Sequence, residues 1–196
     1  MTTEIVVLNY EAIWKDLFQL AEMVLADYQP DVLIGISRGG LVVTRLLSDI
    51  MDNKNVAVFG VGFYTGINET AKKPIITQEL CYEITNKRVL LVDDVADSGL
   101  SLEFAREYLQ KKSPAEIKIA TIHYKPQSVI KPDFYLEKIS KWLVYPWEYL
   151  EFAKLYYLQQ QQKGCSEEDI QKELLNLQIP SIVIENAIKK IKTERK

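Results

Sequence analysis

Two segments, "DVLIGIS" from Asp31 and "KRVLLVDDV" from Lys87, hold runs of apolar residues with no polar–apolar alternation. A strand of that kind is covered on both faces, which is the situation of a strand inside a parallel sheet between two helical layers. The segments around them fit that frame. Tyr10, Ile13, Trp14, Leu17, Ala21, Val24, Leu25 and Tyr28 recur with helical period, and Pro30 stops the run. A second helical pattern passes through Leu41, Leu46 and Leu47, and "LEFAREYLQK" from Leu102 makes a third. "VAVFGVGFY" from Val56 and "AEIKIATIHY" from Ala115 read as two more strands. Strands alternating with helices imply right-handed βαβ units. The predicted class is α/β, with a mostly parallel twisted sheet flanked by helices.

Between these elements "TGINETAKKPIITQEL", with Gly66, Pro74, Lys72 and Lys73, reads as a long mobile loop leading into a short strand. After Tyr124 the prolines Pro126, Pro132 and Pro146 break the chain into short pieces, which predicts a small irregular lobe closed by a helix. From Glu148 onward helical periodicity dominates. "SEED" at Ser166–Asp169 resembles a capping box, so the end of the chain should form two or three packed helices. A chain of 196 residues is slightly longer than one ordinary domain. Its net charge of −3 argues against a broad nucleic-acid surface. Cys81 and Cys165 form no CxxC pair, so neither a disulfide framework nor a zinc site is expected, and a reducing cytoplasm fits. No secretory leader is read in "MTTEIVVLNYE", and no stretch approaches the roughly 20 apolar residues of a membrane span.

"VLLVDDVADSGLSL", Val89–Leu102, then needs an explanation, because a buried strand runs directly into three aspartates. Open parallel sheets bind ligands beyond the carboxyl ends of their strands. Val95, Ala96, Asp97, Ser98 and Gly99 would present successive backbone N–H groups ahead of a helix, which makes an anion nest. Gly99 permits the tight turn, and the hydroxyls of Ser98 and Ser101 add donors. Carboxylates beside an anion make sense if the ligand also carries sugar hydroxyls or a divalent cation, which Asp93 and Asp94 could hold through water. From spacing alone, a strand-end turn with helix-capping acids fits equally well.

The stretch resembles the phosphoribosyl pyrophosphate motif of the type I phosphoribosyltransferases: four apolar residues, two acids, two further residues, then D-[ST]-G-x-[ST]. "VLLVDDVADSGLS" departs from it mildly, with Leu100 where many members have Gly or Lys and Ser101 where Thr is common. The resemblance covers roughly the first three quarters of the chain. It implies that Asp93–Gly99 and Ser101 bind phosphoribosyl pyrophosphate, that Mg2+ is the cofactor, and that Asp97 is the catalytic base. "GISRGGL" ends the preceding strand, where the family places a pyrophosphate loop. Ser37, Arg38 and Gly39 would serve it, and Ser37–Arg38 is the position of the cis peptide found in many members. "HYKP" and "KWLVYPWE" are similar to the xanthine-guanine and hypoxanthine branch. The similarity implies that Lys125 reads the purine 6-oxo group, that Trp142 stacks on the base and that the backbone of Leu143 reads the 2-position.

By that resemblance, residues 1–150 form the phosphoribosyltransferase core, with a purine-binding hood made mainly by 125–150, and 151–196 form a helical C-terminal extension. A homodimer or homotetramer is implied, with no nucleic-acid or membrane partner. His123 is expected near the strand end without a metal or base role, Trp147 packs the lobe, and Glu148 only caps a helix. Three other readings remain open from sequence: a phosphoribosyl pyrophosphate-sensing regulator without catalysis, a transferase for another base, and an assembly protein built around the tail.

Overall fold

A computed structural model describes residues 4–64 and 73–194. In chain order its elements are β1 (Ile5–Val7), α1 (Tyr10–Asp27), β2 (Val32–Ser37), α2 (Gly39–Ile50), β3 (Val56–Tyr64), β4 (Lys73–Gln78) and β5 (Arg88–Ala96). There follow α3 (Leu100–Gln110), β6 (Glu116–Tyr124), β7 (Glu137–Lys138), β8 (Trp142–Val144), a 3-10 turn (Pro146–Glu148), α4 (Tyr149–Gln162), α5 (Glu167–Asn176) and α6 (Ser181–Glu194). The chain divides into two compact units, residues 14–140 and residues 1–13 with 141–196. The boundaries between the units fall at 13/14 and 140/141.

The larger unit is built on a six-stranded sheet in the order β4-β3-β2-β5-β6-β7, in which every pair is parallel except β3–β4. The expected α/β architecture is therefore present. The central strand β5 pairs with β2 from Val32↔Val89 to Gly35↔Val92 and with β6 from Arg88↔Glu116 to Ala96↔Tyr124. Successive side chains of a strand face opposite sides of the sheet. Helix α3 packs on one side, where Val89 and Leu91 meet Val32, Ile34, Leu102, Ala105 and Leu109. Helix α2 packs on β2 and β5, with Val43, Thr44 and Leu47 buried. Val89, Leu90, Leu91 and Val92 are all fully buried, which is why this run shows no alternation. Leu91→Ala should therefore cost about 2–5 kcal/mol, read as a fall in the urea midpoint at constant slope. A change below about 0.5 kcal/mol would contradict the packing described.

One element differs from the sequence expectation. Lys73–Gln78 is a full strand, antiparallel to β3 with Lys73 opposite Tyr64 and Pro74 opposite Phe63, so Lys73 belongs to β4 and not to a loop. Pro74 is compatible because β4 is the sheet edge, where a missing N–H breaks no inner ladder. Lys72 and the rest of the expected loop, 65–72, lie outside the described residues.

In the smaller unit β1 and β8 pair in parallel, Ile5↔Trp142 to Val7↔Val144. Helices α4, α5 and α6 share one apolar cluster with Val144, including Phe152, Tyr157, Ile170, Leu174, Ile184 and Ile188. The Ser166 hydroxyl accepts from the Asp169 backbone N–H at 3.1 Å, capping α5 as its sequence predicts. Trp147 stacks on Tyr145 with ring centroids 5.0 Å apart, which gives it the packing role expected. Glu148 occupies the N-cap position of α4, but its side chain makes no capping bond. Among the described residues no helix is long and apolar enough to cross a membrane.

Candidate active site

The carboxyl end of β5 gathers most of the residues singled out in the sequence. Asp93 is half-buried, and its Oδ1 accepts from the Asp94 N–H at 3.0 Å. Asp94 is only 6% exposed, and its Oδ1 accepts from the Val95 N–H at 2.8 Å. Both carboxylates are thus oriented by the backbone as the strand ends. The "SRGG" turn lies against them. A Cβ on Gly39 would overlap the Asp94 carboxylate, and one on Gly40 would overlap the Val92 carbonyl oxygen. Those two glycines let the end of β2 approach the end of β5, so the two loops form one cradle. The Ser37–Arg38 peptide is cis, and Arg38 is an exposed residue at the N-cap of α2.

Beyond Ala96 the chain turns through exposed Asp97 and Ser98 to Gly99, whose φ of +79° starts α3 from the left-handed region. Only glycine adopts that conformation without strain, and a Cβ there would also collide with Ser128. The first N–H groups of α3 have no carbonyl one turn earlier in the helix to donate to, and the Leu100 N–H donates to the Ser98 hydroxyl at 3.4 Å. That arrangement suits an anion.

The segment after β6 runs alongside the loop. The Lys125 N–H donates to the Ala96 carbonyl at 2.9 Å, and the Val129 N–H donates to the Ser98 carbonyl at 2.9 Å. Lys125 Nζ lies 3.1 Å from Asp97 Oδ2, with the lysine side chain 14% exposed and the aspartate 57% exposed. Gln127 Nε2 donates to Asp97 Oδ1 at 2.8 Å. Ser37–Gly39, Asp93–Ser101 and Lys125 therefore share the larger unit. Trp142 and Leu143 lie in the smaller one, on β8, where Trp142 is 52% exposed and Leu143 is buried.

Two site features were not read from sequence. The seat of Asp94 against Gly39 joins residues distant in the chain. Gln127 stands in "KPQS", where only its nearness to Lys125 could have drawn notice.

His123 sits on β6 opposite Val95, one residue before the end of the strand, and is almost fully buried. Burial pushes its imidazole from the ordinary 6.5 down to about 4. It is therefore neutral in the fold at pH 7. As pH falls below 6.5 the unfolded chain takes up a proton that the folded chain refuses, so stability declines towards pH 4 and this contribution then levels off. The full effect is on the order of 3 kcal/mol. His123→Gln should show a shallower loss of urea stability between pH 7 and 4.5 than the natural protein. Identical slopes would contradict the assignment.

The fold and the cradle define a class. Residues 7–151 match the model of the phosphoribosyl transferase domain, and the chain belongs to that family. Within it, this is a type I phosphoribosyltransferase similar to the xanthine-guanine and hypoxanthine-guanine enzymes. The chain is 28% identical over 127 residues to the xanthine-guanine phosphoribosyltransferase of Cereibacter sphaeroides, covering 63% of this chain and 73% of that protein. It is 28% identical over 124 residues to the hypoxanthine-guanine phosphoribosyltransferase of Staphylococcus epidermidis, covering 62% and 69%. Among solved structures, a purine phosphoribosyltransferase from Pyrococcus horikoshii superposes with a TM-score of 0.67 at 38% identity, covering 73% of this chain and 93% of that one.

Proposed function

We infer that the protein transfers the 5-phosphoribosyl group of phosphoribosyl pyrophosphate to N9 of a 6-oxopurine, xanthine, guanine or hypoxanthine. The products are the nucleoside 5′-monophosphate and pyrophosphate. One observation carries the reading: Lys125 Nζ and Asp97 Oδ2 stand 3.1 Å apart at the mouth of the phosphate loop. A cationic donor beside a carboxylate acceptor complements the 6-oxo and N7–H edge of such a base. Lysine has three N–H donors, so the contact with Asp97 leaves others to reach the 6-oxo oxygen.

The other residues follow from their places. The N–H groups of Ala96–Ser101 and the start of α3 anchor the 5′-phosphate and fix the sugar. Arg38, with the Ser37–Gly39 backbone, neutralises the pyrophosphate as it leaves. Asp93 and Asp94 accept from ribose hydroxyls. Asp97 takes the proton from N7 as N9 attacks the ribose carbon. The resemblance to the xanthine-guanine and hypoxanthine branch assigns Trp142 the stacking of the base and the Leu143 backbone the reading of its 2-position; both lie on β8 of the smaller unit.

The donor chemistry also fits Mg2+. Asp93 and Asp94 are hard oxygen donors at the end of β5. Mg2+ suits such donors because it retains waters and binds substrate phosphates. Asp93 and Asp94 would hold it through those waters. When bound, the ion supplies charge neutralisation at the pyrophosphate.

The test is to incubate the protein with phosphoribosyl pyrophosphate and Mg2+ and add each natural base separately. Chromatography should show a nucleoside 5′-monophosphate with at least one 6-oxopurine. Binding of phosphoribosyl pyrophosphate without any product would favour a sensing regulator instead.

A further inference from the structure

We propose that Gln127 is a positioning residue that sets which oxygen of Asp97 works on the base. The inference rests on the purine-transfer reading above. Asp97 has two carboxylate oxygens, and each has a different partner. Oδ1 accepts from Gln127 Nε2 at 2.8 Å, and Oδ2 faces Lys125 Nζ at 3.1 Å. A carboxylate can only accept, so the amide must turn its nitrogen towards it.

The backbone holds Gln127 in place for this contact. Residue 97 is bracketed by two main-chain bonds to the neighbouring segment, Lys125 N–H to Ala96 O and Val129 N–H to Ser98 O, both 2.9 Å. Between those anchors the segment makes a turn, with the Ser128 N–H donating to the Lys125 carbonyl at 3.0 Å. The Ser128 hydroxyl closes it by donating to the Ile130 carbonyl at 2.8 Å. Gln127 therefore projects from a pinned turn directly opposite Asp97, which is itself an exposed side chain free to rotate about its bonds without such a clamp.

The consequence is chemical. With Oδ1 held by the amide, Oδ2 and the Lys125 ammonium are presented side by side, as an acceptor and a donor. That is the pattern of a 6-oxopurine edge, on which N7–H and the 6-oxo oxygen are adjacent. Without the amide the carboxylate rotates, and the ammonium can take both oxygens, which withdraws them from the base.

Gln127→Ala and Gln127→Glu test this. The position is exposed, so neither change disturbs packing. At saturating substrates kcat with the preferred 6-oxopurine should fall about 10-fold in Gln127→Ala, because the base loses its alignment. KM for phosphoribosyl pyrophosphate should stay within about twofold, since that ligand is held by the loop backbone. Gln127→Glu keeps the size but places a carboxylate against a carboxylate, so it should be slower than the alanine variant. A space-filling role would give the opposite order, with Gln127→Glu near the natural protein. Gln127→Ala within twofold of the natural kcat, or Gln127→Glu faster than Gln127→Ala, overturns the assignment. Absence of nucleotide from any 6-oxopurine in the natural protein overturns the functional reading itself, and is read from that protein alone.

Discussion

Asp97→Asn should bind phosphoribosyl pyrophosphate nearly as well as the natural protein and turn over about 10²–10⁴-fold more slowly, the usual loss when a general base is removed. That corresponds to roughly 3–5 kcal/mol of barrier. The substitution keeps the shape of the loop, whose conformation is set by Gly99 and the main-chain bonds at Ala96 and Ser98. It removes the proton acceptor. It also leaves one oxygen where Lys125 and Gln127 now find two, so one of these donors must face an amide N–H. Calorimetric titration gives the binding arm, and initial rates near neutral pH give the other. Turnover at the natural rate would remove Asp97 from the role of base.

The larger expected effect is discrimination between bases. A site built around one hydrogen bond rejects an analogue that cannot make it by up to ~10⁴–10⁵-fold. Lys125 offers only donors, and its side chain is 14% exposed, so a mismatch there is not relieved by water. A 6-oxopurine gives it an acceptor and a charge-assisted bond, whereas adenine gives it an amino group. Aromatic stacking cannot restore the difference, because every purine presents the same kind of π face. Lys125→Ala should lose far more kcat/KM on guanine, xanthine or hypoxanthine than on adenine, and so narrow the gap between them. A natural protein that used adenine as well as guanine would end the assignment of Lys125.

The parts of this account that were legible in the sequence are those governed by local rules. Val89–Val92 declared a two-sided burial, the glycine at 99 marked a tight turn, and the aspartates between them marked the strand end. The pieces that escaped depend on partners far along the chain. Strand β1 has only three residues, and its partner β8 lies at the other end of the family domain, so no local periodicity could reveal the pair. Strand β4 mixes Lys73 and Pro74 with two isoleucines, which is acceptable only because it is an edge. The Gln127–Asp97 bond joins two exposed side chains through a turn whose geometry is set by neighbouring main-chain bonds. Polar residues of that kind carry no burial signal in a sequence.

The most direct measurement of the central claim is the stoichiometry of transfer. With phosphoribosyl pyrophosphate, Mg2+ and a 6-oxopurine supplied together, nucleotide and pyrophosphate should appear in equal amounts, and the new bond should lie at N9 of the base. Omitting the base, or replacing it with adenine, should suppress both products together. Pyrophosphate released at the same rate without any base, or no nucleotide from xanthine, guanine and hypoxanthine alike, would contradict the account.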